Sequence, residues 1–541
     1  NPYLTLNNEF IGAIWWTFKK AEEKGLLYLG KYPVHVCPRC ETAVAYNEII
    51  YTKQDDVSVY VKFPIRKEKH KYLLIWTTTP WTLPGNTGVM VNPGFDYSEI
   101  EVELDKGKET WIMAKELVEK IMSGFGYKYE IIKSVKGKSL EGIEYVNPLA
   151  KNLKLNLKNA YKIVLSSRYV NLEEGTGLVH CAPGHGKEDY EVGKEYGLDM
   201  PSPVMLNGMM TEEAGKYSGK KARIVDEEII KDLDEQGMLL HKHVYTHDYP
   251  ICWRCKEPLL MISVPQWFFK ILGIQKKMLA ENKETDWIPS WMKTRMKAWL
   301  EGISDWPISR QRYWGTPLPI WICECGERRI IGSIKELEKL SGKKVKGIHK
   351  PEIDEVEIKC KCGRKMKRVP EVLDVWFDSG VTSWAALDYP KNEKLFKKFW
   401  PANLNIEATE QVRGWWNSQL ILSTITFNKK PWKSIMVHGM VLDISKKKMS
   451  KSLGNFVSPG EIITKYGRDY LRWYLASQSK GEDMSFDESA LSELKKFFNV
   501  LFNIQNLVDL YLGSEAKEKV KVNKIEDKWI LSRLNSVTKE V

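Results

Sequence analysis

Eight of the nine cysteines stand in four close doublets, and that spacing is the first sign of chemistry in the chain. Cys37-Pro-Arg-Cys40 and Cys252-Trp-Arg-Cys255 are C-x-x-C turns, each able to aim two thiolates at one ion. Four such sulfurs close a tetrahedral zinc site of the structural type. Cys323-Glu-Cys325-Gly and Cys360-Lys-Cys362-Gly are tighter C-x-C doublets that point to a second zinc. Cys181 is left over and reads as a small buried apolar residue. A different chemistry is offered by Lys448-Met449-Ser450-Lys451-Ser452. Two lysines three apart on a loop can clamp the phosphates of ATP and offset charge developing during adenylyl transfer. Taken alone, such a pentapeptide is also a solvated basic turn. Trp376 and Trp415 can wall an aliphatic side chain, or serve as ordinary core tryptophans in a chain that has 21. Glu407 and Gln411 stand four apart and would share one face of a helix. The run Thr77-Thr78-Thr79 fits a β-strand edge, where threonine is common.

Several domains are needed to position these groups. A chain of 541 residues exceeds one hydrophobic core, and about three to five domains are expected. With 43% hydrophobic and 28% charged residues the chain is globular, which excludes a disordered protein. Net charge +12 favours a polyanionic partner, with a solvated basic surface as the alternative. The uncharged stretch 73–95 holds Pro80, Pro84 and Pro93, which excludes a membrane-spanning helix. Paired cysteine doublets in a chain without a visible signal peptide fit a reduced compartment and bound metal. The chain opens on Asn1 rather than Met, so a piece of something longer is expected.

Apolar residues Phe10, Ile11, Ile14, Trp15, Phe18 and Ala21 predict a helix over about 8–29, closed by Gly25. Strands are predicted at 57–63, 72–76, 97–102 and 162–165, then at 372–377, 404–407 and 434–437 as short buried strands of a parallel α/β sheet. If the two C-x-x-C doublets meet, the α+β segment between them is an insertion whose ends return to one metal. Expected boundaries follow. Residues 1–54 hold a lead-in helix and half a zinc ribbon, 55–240 the insertion, and 241–317 the returning ribbon. Residues 318–367 form a second small zinc-binding insertion, and 368–458 the α/β core with the lysine loop. Residues 459–515 are a helical region, and 516–541 open a further helical domain.

The lysine loop runs on through Leu453-Gly454-Asn455 and follows His438-Gly439-Met440 after a predicted strand; it resembles the second signature of class I aminoacyl-tRNA synthetases. The likeness covers nearly the whole chain. Asp374-Val-Trp376-Phe-Asp378-Ser-Gly380, Glu407-Ala-Thr-Glu410-Gln411-Val-Arg-Gly-Trp415 and Trp306-Pro-Ile-Ser-Arg310-Gln-Arg-Tyr-Trp314-Gly315 resemble the subgroup for branched aliphatic amino acids. Trp76-Thr77-Thr78-Thr79-Pro80-Trp81-Thr82-Leu83 is similar to its isoleucyl branch, where valyl and leucyl relatives carry Thr-Thr-Arg-Pro, and 175–189 agrees. Glu410 stands where the family usually has Asp.

The resemblance implies an α/β fold: the second half of a Rossmann-type catalytic core with a large inserted α+β editing domain, zinc ribbons and a C-terminal helical region. It implies ATP binding by His438, Gly439 and Lys451, with Lys448, Met449, Ser450, Lys451 and Ser452 as the catalytic loop. Trp376, Glu407, Gln411 and Trp415 would hold the aminoacyl adenylate. One methylene is worth roughly 1–3 kcal/mol of discrimination, a magnitude already known for enzymes of this kind, so a second hydrolytic site must reject valine. There Asp189 would hold the free amino group, Thr77, Thr78 and Thr79 would line the ester and position a water, and His180 would shape the pocket against isoleucine, in company with Trp81. His185, between two glycines, reads as a turn residue. His35, His241, His243 and His247 read as surface groups or neighbours of the thiolates. Two zinc ions, ATP with Mg2+, isoleucine and its tRNA are the implied cofactors and partners, in a cytoplasmic monomer without membrane contact. The family's His-x-Gly-His element stands nowhere before Lys448, so this chain alone is expected not to activate isoleucine. The alternatives are a zinc-stabilised tRNA-binding module without catalysis, or the valyl or leucyl relative.

Overall fold

The first helix, Asn8–Glu23, buries Phe10, Ile11, Ile14, Trp15 and Phe18 along one side. It ends earlier than the apolar spacing suggests, because Gly25 takes the left-handed conformation (φ 65°) and Leu27 already begins a strand. The computed structural model describes residues 4–44, 48–104, 107–449, 454–478, 481–512 and 522–540. They divide into two units. The first comprises Asn1–Asp286, Lys293–Leu404 and Glu410–Ser434, and the second Trp287–Met292, Asn405–Thr409 and Ile435–Val541.

In the first unit two antiparallel ribbons meet end to end. Leu27–Cys37 pairs with Leu260–Phe269, running from Leu27 opposite Phe269 to Val36 opposite Leu260. Ile49–Pro64 pairs with Leu239–Cys252, with Ile49 opposite Cys252. The first C-x-x-C turn therefore lies between the strands going out, and the second between the strands coming back. Everything from Ile65 to Met238 leaves and returns through one two-stranded ribbon. That ribbon has few buried residues and is held laterally by polar groups: Thr246 donates to Asp55 (2.6 Å), and His247 Nε2 lies 3.1 Å from Asp56.

The ribbon belongs to a branched nine-stranded sheet, whose other seven strands lie beyond it. Lys71–Thr77 pairs along one edge with the end of the ribbon strand, Val59 to Pro64. Its other edge is shared. Residues 71–73 run parallel to Gly107–Ala114, whereas Trp76 lies parallel to Val179 of the short strand Val179–Cys181. That short strand also pairs antiparallel with Gly88–Val91, which pairs with Lys162–Leu165. Its core is built around Phe63, Leu73, Leu74, Ile75, Trp111, Ile112 and Tyr145. The stretch 73–95 is therefore two strands joined by a 3-10 turn, Pro80–Gly85. Among the described residues, no helix is long and apolar enough to cross a membrane.

Two expectations for 372–407 are corrected. Only Val372 and Leu373 are extended; Asp374 then accepts the Trp376 N–H and caps a helix, Val375–Gly380. Ala402–Ala408 is a strand, but Leu404 and Ile406 are exposed rather than buried, being 46% and 53% accessible. In the second unit the helices Pro459–Tyr466, Arg468–Gln478, Ser489–Leu512 and Ile525–Glu540 follow the helical pattern read from the sequence.

Asp226, at the start of the helix Asp226–Glu235, is half-buried, and its Oδ1 is enclosed with no hydrogen-bond partner. Burial pushes its pKa up to about 8, against the pull of the Trp81 N–H and the Arg223 charge. The folded protein thus keeps a proton that the unfolded chain releases near its ordinary value of 3.8. Its contribution to stability is complete below that value and is lost as pH rises through about 8. Asp226→Asn is expected to flatten the fall in Tm between about pH 5 and 8, followed by calorimetry. An unchanged slope would contradict this account.

Candidate functional site

Strand Lys71–Thr77 ends in the threonine run, and the chain turns back on itself so that hydroxyls line one wall. The Thr77 hydroxyl oxygen accepts the Thr79 N–H at 3.1 Å. The Thr82 hydroxyl donates to the Thr79 carbonyl at 2.8 Å, which leaves its oxygen free to accept. It lies 3.0 Å from His180 Nε2. On the far side of the ring, Asn86 Nδ2 donates to His180 Nδ1 at 2.8 Å, and Tyr145 donates to Asn86 Oδ1 at 2.7 Å. With Nδ1 accepting, Nε2 carries the proton and spends it on Thr82. Burial pushes the His180 pKa down to about 3, so the ring is neutral.

Asp189 arrives from the first turn of the helix Lys187–Glu195. Its Oδ2 accepts the Ala182 N–H at 3.1 Å. Asp189 is half-buried, and its desolvation outweighs that bond and pushes its pKa up to about 7. Thr77, Thr78, Thr79, Thr82, His180 and Asp189 line one cavity of about 310 Å³, together with Trp76, Asn171, Glu174 and Thr176. No Lys, Arg, Ser or Cys is part of that lining. A half-buried acid with no resident cation is a receptor for an ammonium group, whose arrival would ionise it. Threonine hydroxyls with no activated serine or cysteine among them suit the placement of a water rather than covalent attack by the protein.

Trp81 and His185 depart from the sequence reading. Trp81 is in the core and does not line the cavity; it meets the His185 ring edge-on at 5.2 Å. His185 is a buried residue of the cavity wall and not merely a turn position. The sequence reading also assigned nothing to Asn86 or Tyr145. Asn86 follows a Pro-Gly pair just beyond the threonines, the only local signal for it.

Both cysteine clusters assemble. Sγ of Cys255 is 3.4 Å from that of Cys37 and 3.7 Å from that of Cys40, with Cys252 completing the group. Cys323 and Cys362 are 3.5 Å apart, and Cys325 and Cys360 are 3.7 Å apart. Tetrahedral zinc with Zn–S of about 2.3 Å needs sulfurs about 3.8 Å apart, so both sets fit. All eight ligands are protein thiolates with no place left for a reacting molecule, so a bound ion would act as a structural clamp. Cys181 is buried against Met90, Val164 and Val192.

The family model described as tRNA synthetases class I (I, L, M and V) matches residues 1–487. The chain belongs to that family. Among its relatives, the isoleucine–tRNA ligase of Methanothermobacter thermautotrophicus is 45% identical over all of this chain and 52% of its own length. That of Thermococcus kodakarensis is 43% identical over all of this chain and 54% of its own length. The chain thus spans about half the length of the curated relatives it matches. A ternary complex of an Agrobacterium radiobacter LeuRS with tRNA and LeuAMS overlaps 95% of this chain and 63% of that one, at 19% identity and TM-score 0.42.

The synthetase residues of the first unit converge on Gly414. Gln411 Oε1 accepts the Trp415 N–H at 2.8 Å. A Cβ on Gly414 would lie 2.4 Å from Gln411 Oε1 and 3.2 Å from the Trp376 ring, so a larger residue would have to displace the Gln411 amide. The Trp415 indole is pinned by the Ser379 carbonyl at 2.9 Å. Glu407 and Gln411 do not share a helix face: Glu407 sits in the strand Ala402–Ala408 and Gln411 in the 3-10 turn Thr409–Val412. In the second unit, His438 ends the strand Trp432–His438, and its Nδ1 lies 2.9 Å from the Gly439 carbonyl. Asp443 holds the base of the lysine loop, accepting the Lys447 N–H and the Asn455 amide at 2.8 Å each. Lys448 and Met449 follow this turn; Ser450, Lys451 and Ser452 lie outside the described residues.

Elemental analysis of the purified chain is expected to give about two equivalents of zinc. Cys325→Ser should release one and spare the other, and Cys255→Ser the reverse. A wild-type value near one would remove the C-x-C site first.

Proposed function

We propose that this chain is part of an isoleucine–tRNA ligase and that its threonine-lined cavity hydrolyses valyl esters of the isoleucine tRNA. One observation carries the reading: Thr77, Thr78, Thr79, His180 and Asp189, far apart in sequence, line a single cavity with a half-buried, uncompensated acid. The isoleucine–tRNA ligases that match the full chain at above 40% identity support the choice of amino acid.

The free ammonium of the aminoacyl ester pairs with Asp189, which ionises as the cation enters. The Thr77, Thr78 and Thr79 hydroxyls bracket the ester carbonyl and hold a water against it. The water oxygen bonds to the carbonyl carbon, the ester bond breaks, and the ribose oxygen leaves with a proton. His180 is not the base, because its Nε2 proton is committed to Thr82 and its Nδ1 to Asn86. It is a fixed neutral wall that limits side-chain size. Trp376 and Trp415 are assigned as the walls of an adenylate pocket with Gln411, and Glu407 is assigned separately as an adenylate-binding group. His438, Gly439 and the loop Lys448-Met449-Ser450-Lys451-Ser452 are assigned to ATP with Mg2+. Isoleucine activation is assigned to the longer polypeptide that the relatives represent. Two structural zinc ions, a monomeric state and the cytoplasm complete the proposal.

The test offers valyl and isoleucyl esters of isoleucine tRNA to the wild-type chain and to Asp189→Ala. The valyl ester should be cleaved faster, and the substitution should lower its kcat/KM roughly ten- to a hundredfold, as expected for losing a hydrogen-bonded charge partner. Because the free carboxyl titrates near 7, wild-type kcat/KM should fall as pH drops through about 7. Binding of tRNA without cleavage of either ester would favour the second reading, a basic zinc-stabilised tRNA-binding module.

A further inference from the structure

The helix that presents Asp189 is preceded by Gly184-His185-Gly186, and all three residues are tightly enclosed. A Cβ on Gly184 would fall 2.0 Å from the Pro201 carbonyl oxygen, and one on Gly186 would fall 2.7 Å from Asp189 Oδ2. Across the ring, a Cβ on Gly85 would fall 2.6 Å from His185 Cδ2. Gly85 thus clears space for the imidazole and Gly186 for the carboxylate, while Gly184 lets the turn pass against the Pro201 backbone. The His185 backbone N–H donates to the Ala182 carbonyl at 2.7 Å, while the Ala182 N–H holds Asp189. The turn closes on itself around Ala182.

Its side chain faces outward from the insertion. His185 Nδ1 lies 3.1 Å from the carbonyl oxygen of Met261, which can only accept, so Nδ1 carries the proton. Met261 belongs to Leu260–Phe269, the strand that follows the second C-x-x-C turn and pairs with Leu27–Cys37. A second bond runs beside it, from the Ser263 N–H to Ser202 Oγ at 3.2 Å. The opposite ring nitrogen, Nε2, is buried with no partner. Had His185 served only its own turn, neither the reach to a strand 76 positions away nor the clearance at Gly85 would be needed.

We infer that His185 is a positioning residue: its Nδ1–H bond to Met261 registers the Asp189 turn, and with it the hydrolytic cavity, against the strand that leaves the first cysteine cluster. The inference rests on the hydrolytic reading for its kinetic arm and on geometry alone for its structural arm.

Asparagine and glutamine separate the two ring nitrogens. The Asn amide reaches the Nδ1 position and keeps the donor to Met261, whereas the Gln amide reaches the Nε2 position. The zinc-replete full chain would be prepared as wild type, His185→Asn, His185→Gln and His185→Leu. Deacylation of the valyl ester and hydrogen exchange of the 182–195 segment would both be followed. Asn should stay within about threefold of wild type. Leu and Gln should lose about tenfold or more, chiefly in kcat, since the acid is displaced rather than removed. Exchange over 182–195 should rise about tenfold in Leu and Gln and not in Asn, with the distant strand Tyr129–Lys136 unchanged as a control for the fold. Wild-type kcat and exchange in His185→Leu would overturn the inference, as would rescue by Gln and not Asn, which would assign the role to Nε2. If Leu does not fold, the Asn and Gln pair decides. If wild type cleaves neither ester, the hydrolytic reading fails, and the exchange pattern alone settles whether His185 registers the turn.

Discussion

The structure depends on the closure of one long excursion of the chain. Cys37 and Cys255, 218 residues apart, bring their sulfurs to 3.4 Å. Joining the ends of a loop that long carries an entropic cost that grows only slowly with length, so the cost is nearly independent of what the loop contains. Two antiparallel ribbons meeting at four cysteines meet that cost with directed interactions: ladder hydrogen bonds on both sides and a sulfur cluster at the centre that could hold a zinc ion. The insertion is then free to add its seven strands to the two of the ribbon, because its ends are already fixed.

Closure also explains why the cavity can be so poor in compensating charge. Desolvation raises the Asp189 pKa to about 7 and holds the His180 ring neutral. Each is costly in an open chain, since hydrogen bonds must be supplied on site and the geometry must not relax. The relay Tyr145 to Asn86 to His180 to Thr82 supplies one donor and one acceptor per group with none left over along the ring. A rigid neutral wall next to an acid that waits for its cation favours a cationic ligand over an anionic one without any fixed positive charge nearby.

Much of this was legible in the sequence, and the limits are physical. C-x-x-C and C-x-C spacing is local, so it announces its geometry, and strands with alternating or fully apolar patterns at 57–63, 72–76, 97–102 and 162–165 fell within observed strands. Glu407 and Gln411 misled because a spacing of four implies a shared face only inside a helix, and a strand passes into a 3-10 turn there. Val375 to Phe377 looked extended by composition until the Asp374 cap made them helical. His185 was misjudged because flanking glycines usually mean freedom. Here they mean crowding, since each removes a Cβ that would collide, and such contacts arise from residues distant in sequence.

The deepest dependence is on strand register. Val179–Cys181 is only three residues long, yet it pairs with two neighbours at once: Val179 opposite both Trp76 and Met90, His180 opposite Val89, Cys181 opposite Gly88. Successive side chains alternate between faces, so His180 points to the polar relay while Cys181 enters the apolar cluster with Met90 and Val164. A slip of one residue would bury a thiol in the relay and an imidazole among methyl groups, and both faces would lose at once. Because each face penalises the wrong residue, three residues are enough to define the register. The same alternation sends the chain past Ala182 into the turn that carries Asp189. The placement of the acid relative to the threonines is therefore inherited from a strand that hydrogen-bonds to the threonine-bearing strand itself.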